Sequence, residues 1–140
     1  SLMSDALIYP LLVQVALTFV LLFATAFLRT GSIAAGKVKP ADIMLGQRAW
    51  PKQVQQVSNA FHNQLETPVL FFVGVILAFV TSVGGPVLLA LAWTWVALRI
   101  VHAFIHATSN HLRWRFYCFA AGVFVLLAFW ITLAIGIVTR

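Results

Sequence analysis

Four long apolar runs separated by short polar stretches set the pattern of this chain, at residues 6–28, 51–83, 86–110 and 114–139. The first is interrupted only by Gln14, Thr18 and Thr25, and the second opens as an amphipathic helix near Pro51 before turning apolar by Phe61. Each core supplies about 20 residues, which at a rise of about 1.5 Å per residue crosses roughly 30 Å of hydrocarbon. Backbone groups in lipid must be satisfied within the segment, and runs of this length exceed barrel strands. The pattern therefore predicts an all-α integral membrane protein, with four transmembrane helices running up and down as one bundle over residues 3–140. Ser1 and Leu2, ahead of Met3, are expected to be a cloning remnant. The 6–28 run lacks a basic leader and is too long for a signal-peptide core, so it is expected to be a retained anchor.

Composition supports the membrane reading. The chain is 62% hydrophobic and only 9% charged, whereas charged residues make up about a quarter of a globular chain. A net charge of +6 would suggest nucleic acid in a soluble protein, but here the cations gather in two connections. The first holds Arg29, Lys37, Lys39, Arg48 and Lys52 against Asp42, the third holds Arg113 and Arg115, and the second, 81–86, has none. The positive-inside tendency then places the first and third connections in the cytoplasm, with both termini on the other side and Trp50 and Trp114 at the interface. No nucleic-acid partner is expected. Gly84, Gly85 and Pro86 predict a tight turn that makes the second and third helices antiparallel neighbours. The single Cys118 excludes an intramolecular disulfide and reads as a packed apolar thiol.

Two polar stripes interrupt the apolar pattern. Asn59, Asn63 and Glu66 share one helical face, which Lys52 and Gln56 extend backward. Arg99, His102, His106, Asn110 and Arg113 share a face of the third segment. A charged residue deep in lipid costs about 2.5–3.5 kcal/mol on an insertion scale, and polar groups there face a partner or a cavity. The stripes are therefore expected to enclose a polar pocket. A Glu66–Arg99 ion pair is one candidate contact, although Glu66 should lie level with His106, making His102 and His106 its nearer neighbours. Arg99 would then snorkel or pair across a subunit boundary. Simple interhelical glue is the plainer alternative, at around 0.6 kcal/mol per hydrogen bond. A metal site on His102, His106 and either Glu66 or His62 is also conceivable from spacing, but the nearby arginines would repel a cation, so no metal is expected. Pro68 should kink the second helix just past Glu66 and free the carbonyl of Gln64, either to line the pocket or as a plain bend.

The run Asn63-Gln-Leu-Glu66-Thr-Pro68-Val-Leu-Phe71, joined to Arg99, His102, His106 and Arg113, resembles the MAPEG family, the membrane-associated proteins of eicosanoid and glutathione metabolism, and within it a bacterial branch. The resemblance implies a left-handed four-helix homotrimer in the bacterial inner membrane, holding glutathione as co-substrate between neighbouring subunits near the cytoplasmic side. It implies that Asn63 and Glu66 grip the peptide, Glu66 at its amino group, that Arg29 takes a carboxylate, and that Arg113 stands beside the thiol as the catalytic residue. Asn59, Arg99, His102 and His106 would complete the site. Histidines stand where the family's transferases carry aromatic hydroxyls, and Asn59 where they carry Arg. The implied function is a glutathione-dependent transferase or peroxidase acting on a lipophilic electrophile or hydroperoxide from membrane lipid. The alternative is a non-catalytic lipid-binding or scaffold protein. A guanidinium that lowered the thiol pKa from about 8.5 by about two units would supply roughly 2.7 kcal/mol to the thiolate.

Overall fold

The computed structural model describes residues 2–140; Ser1, half of the expected remnant, lies outside the described residues. Leu2 begins a short helix, α1 (Leu2–Asp5), which leads into α2 (Ile8–Ala34). The second apolar segment is two helices, α3 (Lys52–Asn63) and α4 (Thr67–Thr81), followed by α5 (Pro86–Ala107) and α6 (Leu112–Thr139). No strand occurs among the described residues, and four helical stretches are long and apolar enough to cross a membrane. The fold is thus an all-helical membrane bundle.

Local chemistry explains where the helices stop. α2 runs past the apolar limit at residue 28, and within it Thr30 returns its hydroxyl to the Ala26 carbonyl at 2.8 Å. It ends at Gly36, whose φ of +73° suits a residue without a side chain. There Lys37 N–H donates to Ser32 O at 3.0 Å and Gly36 N–H to Ile33 O at 3.1 Å, which closes the helix and satisfies its last carbonyls. A basic connection with a single 3-10 turn at Pro40–Asp42 follows. α5 stops at Ala107, three residues before the expected limit, and Asn110 turns the chain in the left-handed region at φ +52°. His111 then opens α6, its Nδ1 accepting from Trp114 N–H at 3.3 Å.

The break in the second segment changes its neighbours. α3 packs against α2 and α5, whereas α4 packs against α6 and α2. The expected antiparallel pairing of α4 with α5 across the Gly84–Gly85 turn is correspondingly slight, and it includes Phe71 stacked on Trp95 at 4.4 Å between ring centroids. The main core fills the α4 end of the bundle, where Phe71, Val75, Trp95, Val96, Phe129 and Leu133 are buried together. Gly74 lets α4 close on α6, since a Cβ there would stand 2.7 Å from Phe129 Cε1. At the α3 end the contact is small, built on Leu21, Ala60 and Ala103. Small residues bring α3 close to α5, and α6 is left apart from α3.

Candidate functional site

The site begins with the backbone at the end of α3. Gln64, Leu65 and Glu66 donate their amides three residues back, to Phe61, His62 and Asn63, rather than four. That tightening leaves the Ala60 carbonyl without its usual partner, and the side chain of Gln64 takes it over through Nε2 at 2.9 Å. The same side chain accepts from Gln14 Nε2 on α2 at 2.9 Å, and both glutamines are fully buried. Pro68, at the start of α4, has no amide to offer the Gln64 carbonyl. Glu66, between the two helices, lies at φ −100° and ψ −106°, outside helical geometry. The chain thus breaks at three residues and leaves Glu66 exposed at its corner.

α3 is also clamped to the end of α5. Gln53 Nε2 donates to Ala107 O at 2.8 Å and Gln56 Nε2 to Thr108 O at 2.7 Å. Two glutamines of the amphipathic helix therefore take carbonyls that α5 leaves open at its C-terminus. With α3 held on α5 and α4 turned onto α6, a hollow of about 860 Å³ remains between α3, the end of α5, the start of α6 and the basic connection.

The hollow is polar and cationic. Arg29, Arg48 and Arg115 line it with Glu66 as the single acid, and Asn59, Asn63, His62, His102 and His106 complete most of its polar wall. Arg29 donates from Nη2 to the buried Ser58 hydroxyl at 2.6 Å and lies over the Trp50 ring, 4.9 Å from its centroid. Arg115 donates from Nη1 to Asn110 Oδ1. Asn59 Oδ1 accepts from Gln55 Nε2 at 2.7 Å. His62 holds its Nδ1 against the Ser58 carbonyl at 2.8 Å. His102 and His106 meet edge to face with centroids 5.5 Å apart. The Nδ1 atoms of both, and Nε of Arg29, are buried with no hydrogen-bond partner among the described residues.

The sequence-derived residues divide into those that meet and those that do not. Arg29, Asn59, Asn63, Glu66, His102 and His106 converge on the hollow. Arg99 is buried behind the wall and resolves the question of its partner: its Nη2 donates to Asn63 Oδ1 and, at 3.4 Å, to the Asn63 carbonyl. Asn63 Nδ2 in turn reaches Glu66 Oε1 at 3.4 Å, so the amide links the guanidinium to the carboxylate. Arg113 does not line the hollow. It lies on the outer side of the first turns of α6, in a shallow groove with His111, Leu112, Phe116 and Tyr117. The face counted from Arg99 to Arg113 assumed one helix, whereas the turn at 108–111 resets the phase and presents Arg115 instead. Arg48 and Ser58 were also passed over, and His62 was weighed only as a metal ligand. A signal for Ser58 and His62 was available, since they stand four apart on the polar helix that carries Asn59 and Asn63.

The sequence model of the MAPEG family matches residues 7–135. The chain belongs to the MAPEG family. Neither a curated protein nor a solved structure matches it. Membership, with the four spans, makes this an integral membrane protein of a glutathione-related family. In this MAPEG protein the hollow lies at the basic end of the bundle, beside the two connections that carry most of the charge.

Proposed function

We propose that this MAPEG protein binds glutathione in the hollow as co-substrate and transfers it to a lipophilic electrophile, or uses it to reduce a lipophilic hydroperoxide, arriving from membrane lipid. One observation carries the reading: three guanidiniums and one carboxylate share a cavity in which Arg29 and Arg115 bond only the neutral Ser58 and Asn110. Glutathione is the complement of that set, with two carboxylates and a thiolate for the cations and one ammonium for the acid. Charge-assisted hydrogen bonds of this kind are about twice as strong as neutral ones. The volume is also suitable, since small-molecule sites run to about 300–1,000 Å³.

In this reading Glu66 takes the glutathione amino group, Asn63 its peptide, Arg29 a carboxylate, and Arg115 lies near the sulfur. Arg113 completes the site of a neighbouring subunit in a homotrimer, because in its own subunit it does not line the hollow. Titration calorimetry in detergent tests the proposal. Wild-type protein should bind glutathione, Glu66→Gln should bind at least tenfold more weakly, and the particle should have three times the subunit mass. Undiminished affinity in Glu66→Gln removes the assignment of that carboxylate. The neutral Asn59, where transferases of the family are expected to carry Arg, favours a second reading as a lipid-binding or scaffold protein. Absence of glutathione binding to the wild type would select it.

A further inference from the structure

A buried guanidinium stands directly behind one side chain of the hollow's wall. Arg99 is 2% exposed and does not line the cavity, whereas Asn63, which it touches, does. Its Nη2 donates to Asn63 Oδ1 and, at 3.4 Å, to the Asn63 carbonyl. Asn63 is the last residue of α3, where a helix leaves carbonyls open and carries partial negative charge, so a cation is stabilised there by a neutral residue. The contact also settles which way the amide lies. A guanidinium has five N–H donors and no acceptor, so the atom that faces it is the amide oxygen. The nitrogen is thereby turned away from Arg99, and Nδ2 donates to Glu66 Oε1 at 3.4 Å. Nδ2 carries a second hydrogen, which that contact does not use.

We infer that Arg99 is a positioning residue of this site: it engages the Asn63 oxygen from behind, so that Asn63 meets the bound ligand as a hydrogen-bond donor only. The inference rests on the glutathione reading and sharpens it. The group of glutathione that Asn63 meets is then a peptide carbonyl oxygen and not a peptide N–H. An amide free to turn over would serve either, offering its oxygen to a donor or its nitrogen to an acceptor. Held by Arg99, it serves one. A site built to hydrogen-bond one group rejects a ligand that lacks it, because its own polar atoms would be left unpaired. Glu66 belongs to the same chain of contacts, one carboxylate oxygen taking Asn63 Nδ2 and the other left for the ammonium. Arg99 itself touches no part of the ligand and acts through Asn63.

The test uses full-length protein in detergent, with glutathione affinity read by titration calorimetry and stability by circular dichroism melts. Asn63→Asp keeps an oxygen for Arg99 and has no N–H to give. It should melt no lower than wild type yet bind glutathione at least tenfold more weakly, whereas Asn63→Ala should lose both the affinity and several degrees of melting temperature. Asn63→Asp binding as tightly as wild type overturns the inference, and so does Asn63→Asp melting as low as Asn63→Ala. A double-mutant cycle isolates the action through Asn63. Arg99→Met removes the donors from a side chain of similar reach. Asn63→Ala should cost at least tenfold in affinity beside Arg99 and less than threefold in the Arg99→Met background. Equal costs in the two backgrounds overturn the inference and leave Arg99 a role in the fold alone. Should Arg99→Met fail to fold, the two Asn63 variants decide. Each of these results leaves the glutathione site standing, whereas failure of the wild type to bind glutathione overturns both.

Discussion

Gln64 shows how one side chain holds together a place where the backbone has let go. Its Nε2 serves the Ala60 carbonyl released by the tightened turn, and its Oε1 takes the amide of Gln14 from α2. An interhelical hydrogen bond in a membrane protein contributes only about 0.6 kcal/mol. Stranding its buried partners costs more, about 1–3 kcal/mol for each group left unpaired. Gln64→Leu should therefore lower the melting temperature in detergent by several degrees, well beyond the loss of one average bond. The pair Gln14→Leu and Gln64→Leu together should recover part of it, because the Gln14 amide is no longer orphaned. Circular dichroism melts check this, and a double variant less stable than the single one would contradict it. Asn63 has a comparable place, as it is the link between the buried Arg99 and the exposed Glu66.

At the scale of elements, the break between α3 and α4 is what makes the hollow. A continuous helix through this segment would keep one set of neighbours along its length. The broken one spends its first part on α5 and its second on α6, and the space between α3 and α6 opens where those allegiances change. Pro68 helps to keep it broken by withholding an amide from Gln64. Pro68→Ala restores that donor, and the two helices should run on into each other, carrying Glu66 off its corner. Glutathione affinity should fall at least tenfold while melting changes less than in Gln64→Leu. Unchanged affinity would mean that the corner persists without the proline.

The element scale also explains the limits of the sequence reading. Asn59 and Asn63 were legible as one wall because they lie within a single helix, where spacing fixes direction, whereas Glu66 lies past its end in the break. Arg113, placed by the same spacing carried across a turn, does not line the hollow of its own chain. The helix ends at Ala107, and beyond it spacing no longer reports direction.

For the whole molecule, membrane lipid is the natural cover for what the chain leaves open. Only 17% to 39% of each span's most apolar window is buried inside the chain, and residues such as Phe19, Phe23, Phe104 and Phe124 are exposed. The basic connections set the expected orientation through the cytoplasmic preference for Lys and Arg. On a Cys118→Ala background, Lys39→Cys should resist a membrane-impermeant maleimide in bacterial spheroplasts and react in inverted vesicles, and Ser82→Cys should do the reverse. The opposite pattern would invert the protein and put the hollow on the outer side.

The chain alone determined that there are four spans, that they are helical and that polar residues gather toward one end, because run length and helical spacing are local properties. Only the tertiary structure decided that Arg115 joins the hollow in place of Arg113, that Arg99 meets Asn63, and that the second segment changes partners midway. Those outcomes depend on where helices break and how the turns re-aim them. A helical phase is lost at each break, and packing alone sets the next.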